Sequence, residues 1–297
     1  MKKMITYRRL LVAVLLSTVL AGCQTNPTQP DRPESTQLAE QIELANRLLA
    51  QGKHEAALAE YHLALELDPK NAFILTRMAY LYDRLGDPAA TEYVLRDLLA
   101  VEPDHAEALE RLGLLELKRG QRAAAEEKFA RAETLGRSSW RLFNGLGVLA
   151  DYDGEYVAAQ AHYARALQQQ PTNRSLVLNN IGYSHYLAGD LQKALTFFNQ
   201  ALAIDPNFEQ ALSNKGLMLV RMERSDDAYS VFKGFMSDEK AMNSVGYLNM
   251  LLRDYRLAER YFRMAIKTSP MYYEEAHENL DRVVQLQRTS SGSDTPS

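Results

Sequence analysis

Five prolines recur along the chain, most of them at separations close to 34 residues or to twice that length. They are Pro69, Pro103, Pro171, Pro206 and Pro270, and the separations are 34, 68, 35 and 64 residues. Because proline lacks the N–H group that a helix interior needs, each one ends a helix. The segment 175–208 contains two amphipathic helical patterns separated by Ala188-Gly189-Asp190. The spacing therefore predicts a recurring pair of helices, in which no single pair can bury its own apolar face.

The pattern fits seven successive frames, which we call repeats one to seven. They start near Leu38, Ala72, Ala106, Trp140, Ser175, Glu209 and Glu239. Position 8 of each frame is small: Ala45, Ala79, Gly113, Gly147, Gly182, Gly216 and Gly246. Position 20 is also small: Ala57, Thr91, Ala125, Ala159, Ala194, Ala228 and Ala258. Position 24 is large and mostly aromatic: Tyr61, Leu95, Phe129, Tyr163, Phe198, Phe232 and Phe262. Small residues are thus expected to bring paired helices close together, with the side chain at position 24 filling the space between them.

This combination resembles the tetratricopeptide repeat (TPR), whose period is about 34 residues. The resemblance implies an all-α fold, a right-handed superhelical solenoid of about seven helix-turn-helix repeats. Repeat six measures only 30 residues to the next frame, and Ser237-Asp238-Glu239 is expected to cap the helix that follows. Repeat three lacks a closing proline, and Gly136 is expected to end its second helix. Apolar residues at Ala276, Leu280 and Val283 predict a C-terminal capping helix after Pro270.

The overall charge argues against nucleic acid as a partner. The 297 residues carry a formal net charge of −4, and the repeats contain no run of lysine or arginine. A nucleic-acid-binding surface needs a basic stripe, so we predict none here. A single cysteine also excludes an internal disulfide framework.

The first 22 residues have the order of a secretory signal peptide. Lys2, Lys3, Arg8 and Arg9 form a basic region, and residues 10–20 form an apolar stretch that is too short for an ordinary membrane span.

The sequence Leu20-Ala21-Gly22-Cys23 then resembles a bacterial lipobox. The resemblance implies that Cys23 is acylated and becomes the mature N-terminus. By the same resemblance, Gln24 rather than aspartate after the cysteine implies delivery to the outer membrane. We therefore expect a protein that is lipid-anchored at the periplasmic face of the outer membrane.

These observations divide the chain into five segments. They are a signal peptide at 1–22, an acylated cysteine with a flexible tether at 23–36, the solenoid at 37–271, the capping helix at 272–288 and a disordered tail at 289–297.

The sequence contains no recognisable catalytic or metal-binding motif. No two of the six histidines are four residues apart, Gly145-Leu146-Gly147 lacks the rest of a dinucleotide loop, and no Gly-x-Ser-x-Gly elbow occurs. We therefore predict a non-enzymatic protein with no cofactor, no metal and no small-molecule substrate.

A partner-binding surface is predicted on the first helix of each repeat. Positions 2, 5, 9 and 12 of that helix form a stripe beside the packing face, and in stacked TPRs this stripe lines the concave groove. In repeats four to seven we assign to this groove Asn144, Asn179, Asn180, Tyr183, Tyr186, Asn214, Asn243 and Tyr247. Asparagine offers a peptide backbone both a donor and an acceptor, and tyrosine offers apolar area with one hydroxyl.

Two expectations follow for this surface. Repeats one to three are expected to be more acidic there, with Glu43, Tyr80, Asp83, Glu107 and Glu110. Asn179→Ala combined with Tyr183→Ala is expected to weaken partner capture without lowering the melting temperature. The alternative that these residues merely occupy a half-exposed helix face stays open.

The order of lipobox, tether and repeat array resembles the TPR lipoproteins of the tight-adherence (Flp) pilus system, the TadD type. The segments most similar to them are Asn180-Ile181-Gly182-Tyr183 and Leu187-Ala188-Gly189-Asp190. The resemblance implies a scaffold that helps to localise or assemble a secretin or another pilus-assembly component. Two alternatives stay open: a type IV pilus pilotin, and an NlpI-like adaptor lipoprotein that recruits proteases or peptidoglycan hydrolases.

Overall fold

The computed structural model describes residues 33–292, so the expected signal peptide, Cys23 and most of the tether lie outside the described residues, as do residues 293–297. The described chain consists of fifteen α-helices without a β-strand, which confirms the predicted all-α fold class. In chain order the helices are α1 (Glu34–Ala50), α2 (His54–Leu67), α3 (Ala72–Leu85), α4 (Pro88–Val101), α5 (Ala106–Lys118), α6 (Arg122–Thr134), α7 (Trp140–Tyr152), α8 (Tyr156–Gln168), α9 (Arg174–Leu187), α10 (Leu191–Ile204), α11 (Glu209–Arg221), α12 (Ser225–Lys233), α13 (Asp238–Leu251), α14 (Tyr255–Thr268) and α15 (Glu274–Gly292). Within residues 33–292, no helix is both long enough and apolar enough to span a bilayer.

The first fourteen helices pair in sequence into seven helical hairpins, one for each predicted repeat. The chain forms two compact parts, the first ending at Asp68 and the second beginning at Pro69. In the first part α1 packs on α2, and the Tyr61 hydroxyl donates a hydrogen bond of 2.7 Å to Asn46 Oδ1.

In the second part, the second helix of each repeat packs on the first helix of the next, and α14 packs on α15 in the same way. Successive first helices from α5 to α13 also contact one another, and α13 contacts α15 in the same way. Successive second helices between residues 69 and 292 make no comparable contact. The first helices therefore line the inner, shorter side of this part. That arrangement places positions 2, 5, 9 and 12 of the first helices on the inner side.

Glycines at position 8 hold the paired helices close together, as the repeat pattern predicted. A Cβ atom added to Gly182 would lie 2.7 Å from Phe198 Cε1, a distance shorter than van der Waals contact. The glycines at position 8 of repeats three, four, six and seven have the same relation to the side chain at position 24, with separations of 2.2–2.7 Å. Phe129 also packs on Gly145 of the next repeat, at 2.7 Å from an added Cβ atom, so this glycine serves helix packing. These positions set the spacing of the helices and do not form a ligand loop.

The boundary after repeat three is closed by glycine, as expected. Gly136 has a φ of 81° and follows Leu135, the C-cap residue of α6. Its N–H donates to the Glu133 carbonyl at 2.9 Å, and the Arg137 N–H donates to the Ala132 carbonyl at 3.0 Å. This pair of bonds is the Schellman arrangement, which satisfies carbonyl groups that the helix end would leave unpaired.

Repeat six is short because its second helix is short. Helix α12 has 9 residues, whereas the second helices of the other repeats have 13 or 14. Ser237 stands at the N-cap position of α13 with extended backbone, but its side chain makes no capping bond to the helix backbone. Its hydroxyl instead donates to Glu239 Oε1 at 2.6 Å. Ser237 therefore has the backbone conformation of the expected cap but makes no capping hydrogen bond with its side chain.

Both ends of the helical array extend beyond the expected boundaries. Helix α1 begins at Glu34, inside the expected tether, because Pro33 can precede a helix and the Glu34 carboxylate favours its N-terminus. Helix α15 continues to Gly292, inside the expected tail. The Thr289 hydroxyl donates to the Leu286 carbonyl at 3.0 Å, and neither glycine nor proline interrupts the helix before its end.

Candidate functional site

The eight predicted groove residues all lie on first helices, but their exposure differs. Tyr183 and Tyr247 are each 40% exposed. Four others are half-buried: Asn144, Asn180, Tyr186 and Asn214. Asn179 and Asn243 are buried, with 0% and 4% of their surface exposed. The structure thus divides the predicted set into residues that a partner can touch and residues that it cannot touch directly.

Four of the asparagines form a chain of hydrogen bonds across three repeats, which we call the asparagine ladder. Asn180 Nδ2 on α9 donates to Asn144 Oδ1 on α7 at 3.0 Å. Asn214 Nδ2 on α11 donates to Asn179 Oδ1 on α9 at 2.9 Å. A longer contact of 3.4 Å joins Asn179 Nδ2 to Asn180 Oδ1 within α9. The ladder therefore connects neighbouring first helices to one another.

A second set of amide bonds joins repeat seven to the last helix. Asn279 Nδ2 on α15 donates to Asn243 Oδ1 on α13 at 3.1 Å, and Asn243 Nδ2 donates to Glu275 Oε1 at 3.0 Å. The buried asparagines therefore have an internal role, which the sequence did not reveal. Because Asn179 is fully buried, we now expect Asn179→Ala to lower the melting temperature, which revises the expectation for the double variant.

A cleft of about 380 Å³ opens on the inner side between repeats four, five and six. It is lined mainly by Val148, Asp151, Tyr152, Tyr156, Tyr183 and Gln210. We call it the tyrosine cleft. Val148 and Asp151 occupy positions 9 and 12 of repeat four, and Gln210 occupies position 2 of repeat six. These are positions of the predicted stripe, but in repeats four to seven the prediction named only asparagine and tyrosine residues.

Asp151 is the one acidic side chain among the residues that line the tyrosine cleft. The Tyr163 hydroxyl donates a hydrogen bond of 2.8 Å to its Oδ2 atom. Its Oδ1 atom is enclosed and has no hydrogen-bond donor among residues 33–292. Burial raises the pKa of the Asp151 carboxyl, and the nearby Ser184 and Tyr163 hydroxyls offset part of that rise. The Ser184 hydroxyl does not reach hydrogen-bonding geometry with any described group.

A wider recess of about 650 Å³ lies on the same inner side at repeats two to four. Its acidic residues are Asp83, Glu107 and Glu110, and its basic residues are Arg84, Arg111, Lys118, Arg137 and Arg141. Asp83 pairs with Arg111 at 3.0 Å, and the buried Glu110 pairs with Arg137 at 2.5 Å. The acidic residues named for repeats two and three therefore lie in this recess beside a larger number of basic side chains, which come from adjacent turns and from repeat four.

Potential metal ligands are scattered across the described residues. Among residues 33–292, no three side chains of histidine, cysteine, aspartate or glutamate are arranged to hold a metal ion.

Comparisons with known proteins give a consistent result. Tetratricopeptide repeat and TPR repeat family models match residues 45–86, 76–140 and 141–207. The Photosystem I assembly protein Ycf3 of Acaryochloris marina is 34% identical over 131 residues, covering 43% of this chain and 69% of that protein. A TPR repeat-containing protein of Pseudomonas aeruginosa is 30% identical over 188 residues, covering 61% of this chain and 73% of that protein.

A solved structure supports the same fold. A tetratricopeptide repeat protein from Parabacteroides merdae matches with a TM-score of 0.58 at 14% identity, covering 84% of this chain and 99% of that chain. At this identity the similarity concerns the fold alone.

Proposed function

The chain belongs to the tetratricopeptide repeat family, and we propose that it is a non-enzymatic scaffold that binds a protein partner along the inner side of repeats four to seven. The observation that carries this proposal is the position of Tyr183 and Tyr247. Both rings stand 40% exposed on first helices that face the inner side. Large tyrosine side chains that are partly exposed supply apolar contact area and a hydroxyl, which suits them to protein interfaces.

The asparagine ladder supports this surface by joining α9, which carries Tyr183, to α7 and α11. These three helices can shift relative to one another only by breaking the amide hydrogen bonds of the ladder. A surface that is rigid before binding loses less conformational freedom when the partner binds, so more of the contact energy contributes to affinity. The ladder thus favours a preformed binding surface.

For the partner, we propose a component of a pilus or secretin complex at the outer membrane. The resemblance of the whole architecture to TPR lipoproteins of the tight-adherence pilus system supports this assignment. The relative from Acaryochloris marina is described as an assembly protein, which is compatible with a role in assembly here. In this proposal a lipid on Cys23 holds the scaffold at the periplasmic face of the membrane.

Site-specific photo-crosslinking in cells tests the proposed surface. A benzophenone amino acid is introduced in place of Tyr183 or Tyr247, and in control strains in place of Tyr93 or Tyr272. The control side chains are 68% and 77% exposed and lie on α4 and in the segment before α15. We expect adducts with a protein partner from the two inner positions and none from the controls. Equal labelling from the control positions, or none from the inner positions, contradicts the assignment.

The identity of the crosslinked protein separates the pilus role from the adaptor role. Mass spectrometry should identify a secretin or a pilus-assembly component. A protease or a peptidoglycan hydrolase in the adduct would instead support the adaptor alternative, and the pilus assignment would fall. Tyr183→Ala with Tyr247→Ala should reduce recovery of that partner at least tenfold, since central aromatic residues each contribute about 1 kcal/mol or more. The matched pair Tyr93→Ala with Tyr272→Ala should leave recovery unchanged.

A further inference from the structure

The Asp151 carboxylate is enclosed but lacks a counter-charge. No lysine, arginine or histidine among residues 33–292 forms an ion pair with it, and its Oδ1 atom has no donor there. Most buried polar atoms in proteins have a hydrogen-bond partner, and an ionised group without one is costly. Because Asp151 lines the tyrosine cleft, a cation that enters the cleft would supply the missing counter-charge.

The walls of the tyrosine cleft are suited to a cation. Tyr152 already accepts one, because Arg122 Cζ lies 3.9 Å from the centre of its ring. Tyr183 also lines the cleft, and no described cation lies over its ring. The face of a tyrosine ring attracts ammonium and guanidinium groups, more strongly when water is excluded.

From these two features we propose that the tyrosine cleft binds a lysine or arginine side chain of the partner, with the cation against Tyr183 and its N–H groups directed to Asp151. This inference rests on the proposed function, since it specifies the partner chemistry of the same inner surface. The aliphatic part of the basic side chain packs on Val148 and Leu187. Asn180 and Gln210 at the rim supply amide groups for the backbone of the partner segment.

The cleft discriminates against acidic and against purely apolar side chains. A partner carboxylate would be repelled by Asp151 and by the negative faces of the tyrosine rings. A leucine or methionine would bury apolar area but would leave the Asp151 charge without a counter-charge. A basic side chain fulfils both requirements, which is why we commit to it.

Binding of capped tripeptides to the full chain tests the inference directly. The probes are acetyl-Ala-Lys-Ala-amide and acetyl-Ala-Arg-Ala-amide, with acetyl-Ala-norleucine-Ala-amide as the uncharged control of similar length. NMR spectra of protein with ¹³C-labelled tyrosine follow the ring signals of Tyr152 and Tyr183 during each titration. We expect the basic tripeptides to shift these signals and to bind at least about fivefold more tightly than the norleucine tripeptide.

Two variants identify the charge that is responsible. Asp151→Asn keeps an oxygen that accepts the Tyr163 hydrogen bond but removes the negative charge, so the preference for basic tripeptides should vanish. Asp153→Asn removes an exposed carboxylate two residues away that does not line the cleft, and the preference should persist. Equal binding of the norleucine tripeptide to the unmodified protein overturns the inference without any variant. A preference that survives Asp151→Asn overturns it as well.

The tripeptide titration and the crosslinking experiment test the inference and the proposed function separately. If crosslinks form at Tyr183 and Tyr247 but the tripeptides show no preference, the inner surface stands and the cation pocket falls. If the preference appears but the partner crosslinks only at the control positions, the cleft still selects a basic side chain, but the proposed binding surface falls and so does the assignment of that side chain to the partner.

Discussion

Two residues at hairpin turns adopt a backbone conformation for which the other repeats use glycine. In repeats one to five the turn between the paired helices contains a glycine with φ between 72° and 83°. The equivalent position is Glu223 in repeat six and Arg253 in repeat seven, with φ values of 60° and 65°. A left-handed conformation costs a residue with a Cβ atom about 1–2 kcal/mol, while glycine loses more entropy on folding.

We therefore expect Glu223→Gly and Arg253→Gly each to raise the free energy of unfolding by about 0.5–1 kcal/mol. Both side chains are exposed, so little packing is lost. The matched reverse change, Gly189→Ala, should lower the free energy of unfolding by about 1 kcal/mol, because it imposes the same strain on a turn that now lacks it. Thermal denaturation followed by circular dichroism measures all three variants. If either glycine substitution lowered the free energy of unfolding, the present side chain would make a contact that stabilises the protein more than the left-handed backbone conformation destabilises it.

The enclosed carboxyl of Asp151 gives the protein a predictable response to pH. Burial raises its pKa in the folded protein above the ordinary value of 3.8. As pH rises through the window from 3.8 to the raised folded pKa, the unfolded chain loses the proton first, so the folded state loses stability. Below this window the carboxyl is protonated in both states, and above it the loss is complete.

We expect Asp151→Asn to remove this loss. The stability of the variant relative to the unmodified protein should increase with pH across the window and then level off. Urea unfolding at a series of pH values measures the difference, and Asp153→Asn provides the comparison with an exposed carboxylate on the same turn. If the difference in free energy of unfolding between the variant and the unmodified protein stayed constant or shrank as pH rises, the assigned burial of the Asp151 charge would be contradicted.

At the scale of helices, the asparagine ladder determines how neighbouring first helices are held. Asn179 is fully buried, and its Oδ1 atom accepts the Asn214 amide of the next repeat at 2.9 Å. Asn179→Ala removes that acceptor and leaves the half-buried Asn214 amide without this partner, which costs about 1 kcal/mol or more. We expect a corresponding fall in the free energy of unfolding by thermal or urea denaturation. Tyr183→Ala, one turn further along α9, should cost less than about 1 kcal/mol because the ring is partly exposed. An unchanged melting temperature for Asn179→Ala would show that the ladder contributes nothing.

The sequence predicted the helices of this fold better than it predicted the site. The small residue at position 8 and the ring at position 24 depend only on local spacing, so the sequence is sufficient to predict that Gly182 and Phe198 pack together. The burial of Asn179 depends on the separation between α9 and α11, which the spacing within one helix does not determine. The role of Asp151 depends on contacts with Tyr163 of the paired helix and with the cleft, which its position in the stripe does not reveal.

At the scale of the whole molecule, each repeat is stabilised by its neighbours, and the last repeat has α15 as its neighbour. Val283 of α15 is buried against Met250 and Phe262 of repeat seven. Ala276 of the same helix joins the cluster that contains Val245 and Tyr261. In a solenoid the terminal face would otherwise expose apolar surface to water. Helix α15 therefore completes the core of repeat seven, and its exposed residues form the outer face of the array.

The attachment of this array to a membrane is a prediction about Cys23, which lies outside the described residues. Several acyl chains, at about 0.8 kcal/mol for each buried CH₂ group, would make the anchor stable where one chain alone is marginal. We expect Cys23→Ser to abolish acylation, so that the protein is unprocessed or soluble in the periplasm after cell fractionation. Gln24→Asp should keep the lipid but, by the lipoprotein sorting pattern, move the protein from the outer to the inner membrane. The two neighbouring variants thus separate the presence of the anchor from its destination. Recovery of Cys23→Ser as a processed outer-membrane form would refute acylation at this residue.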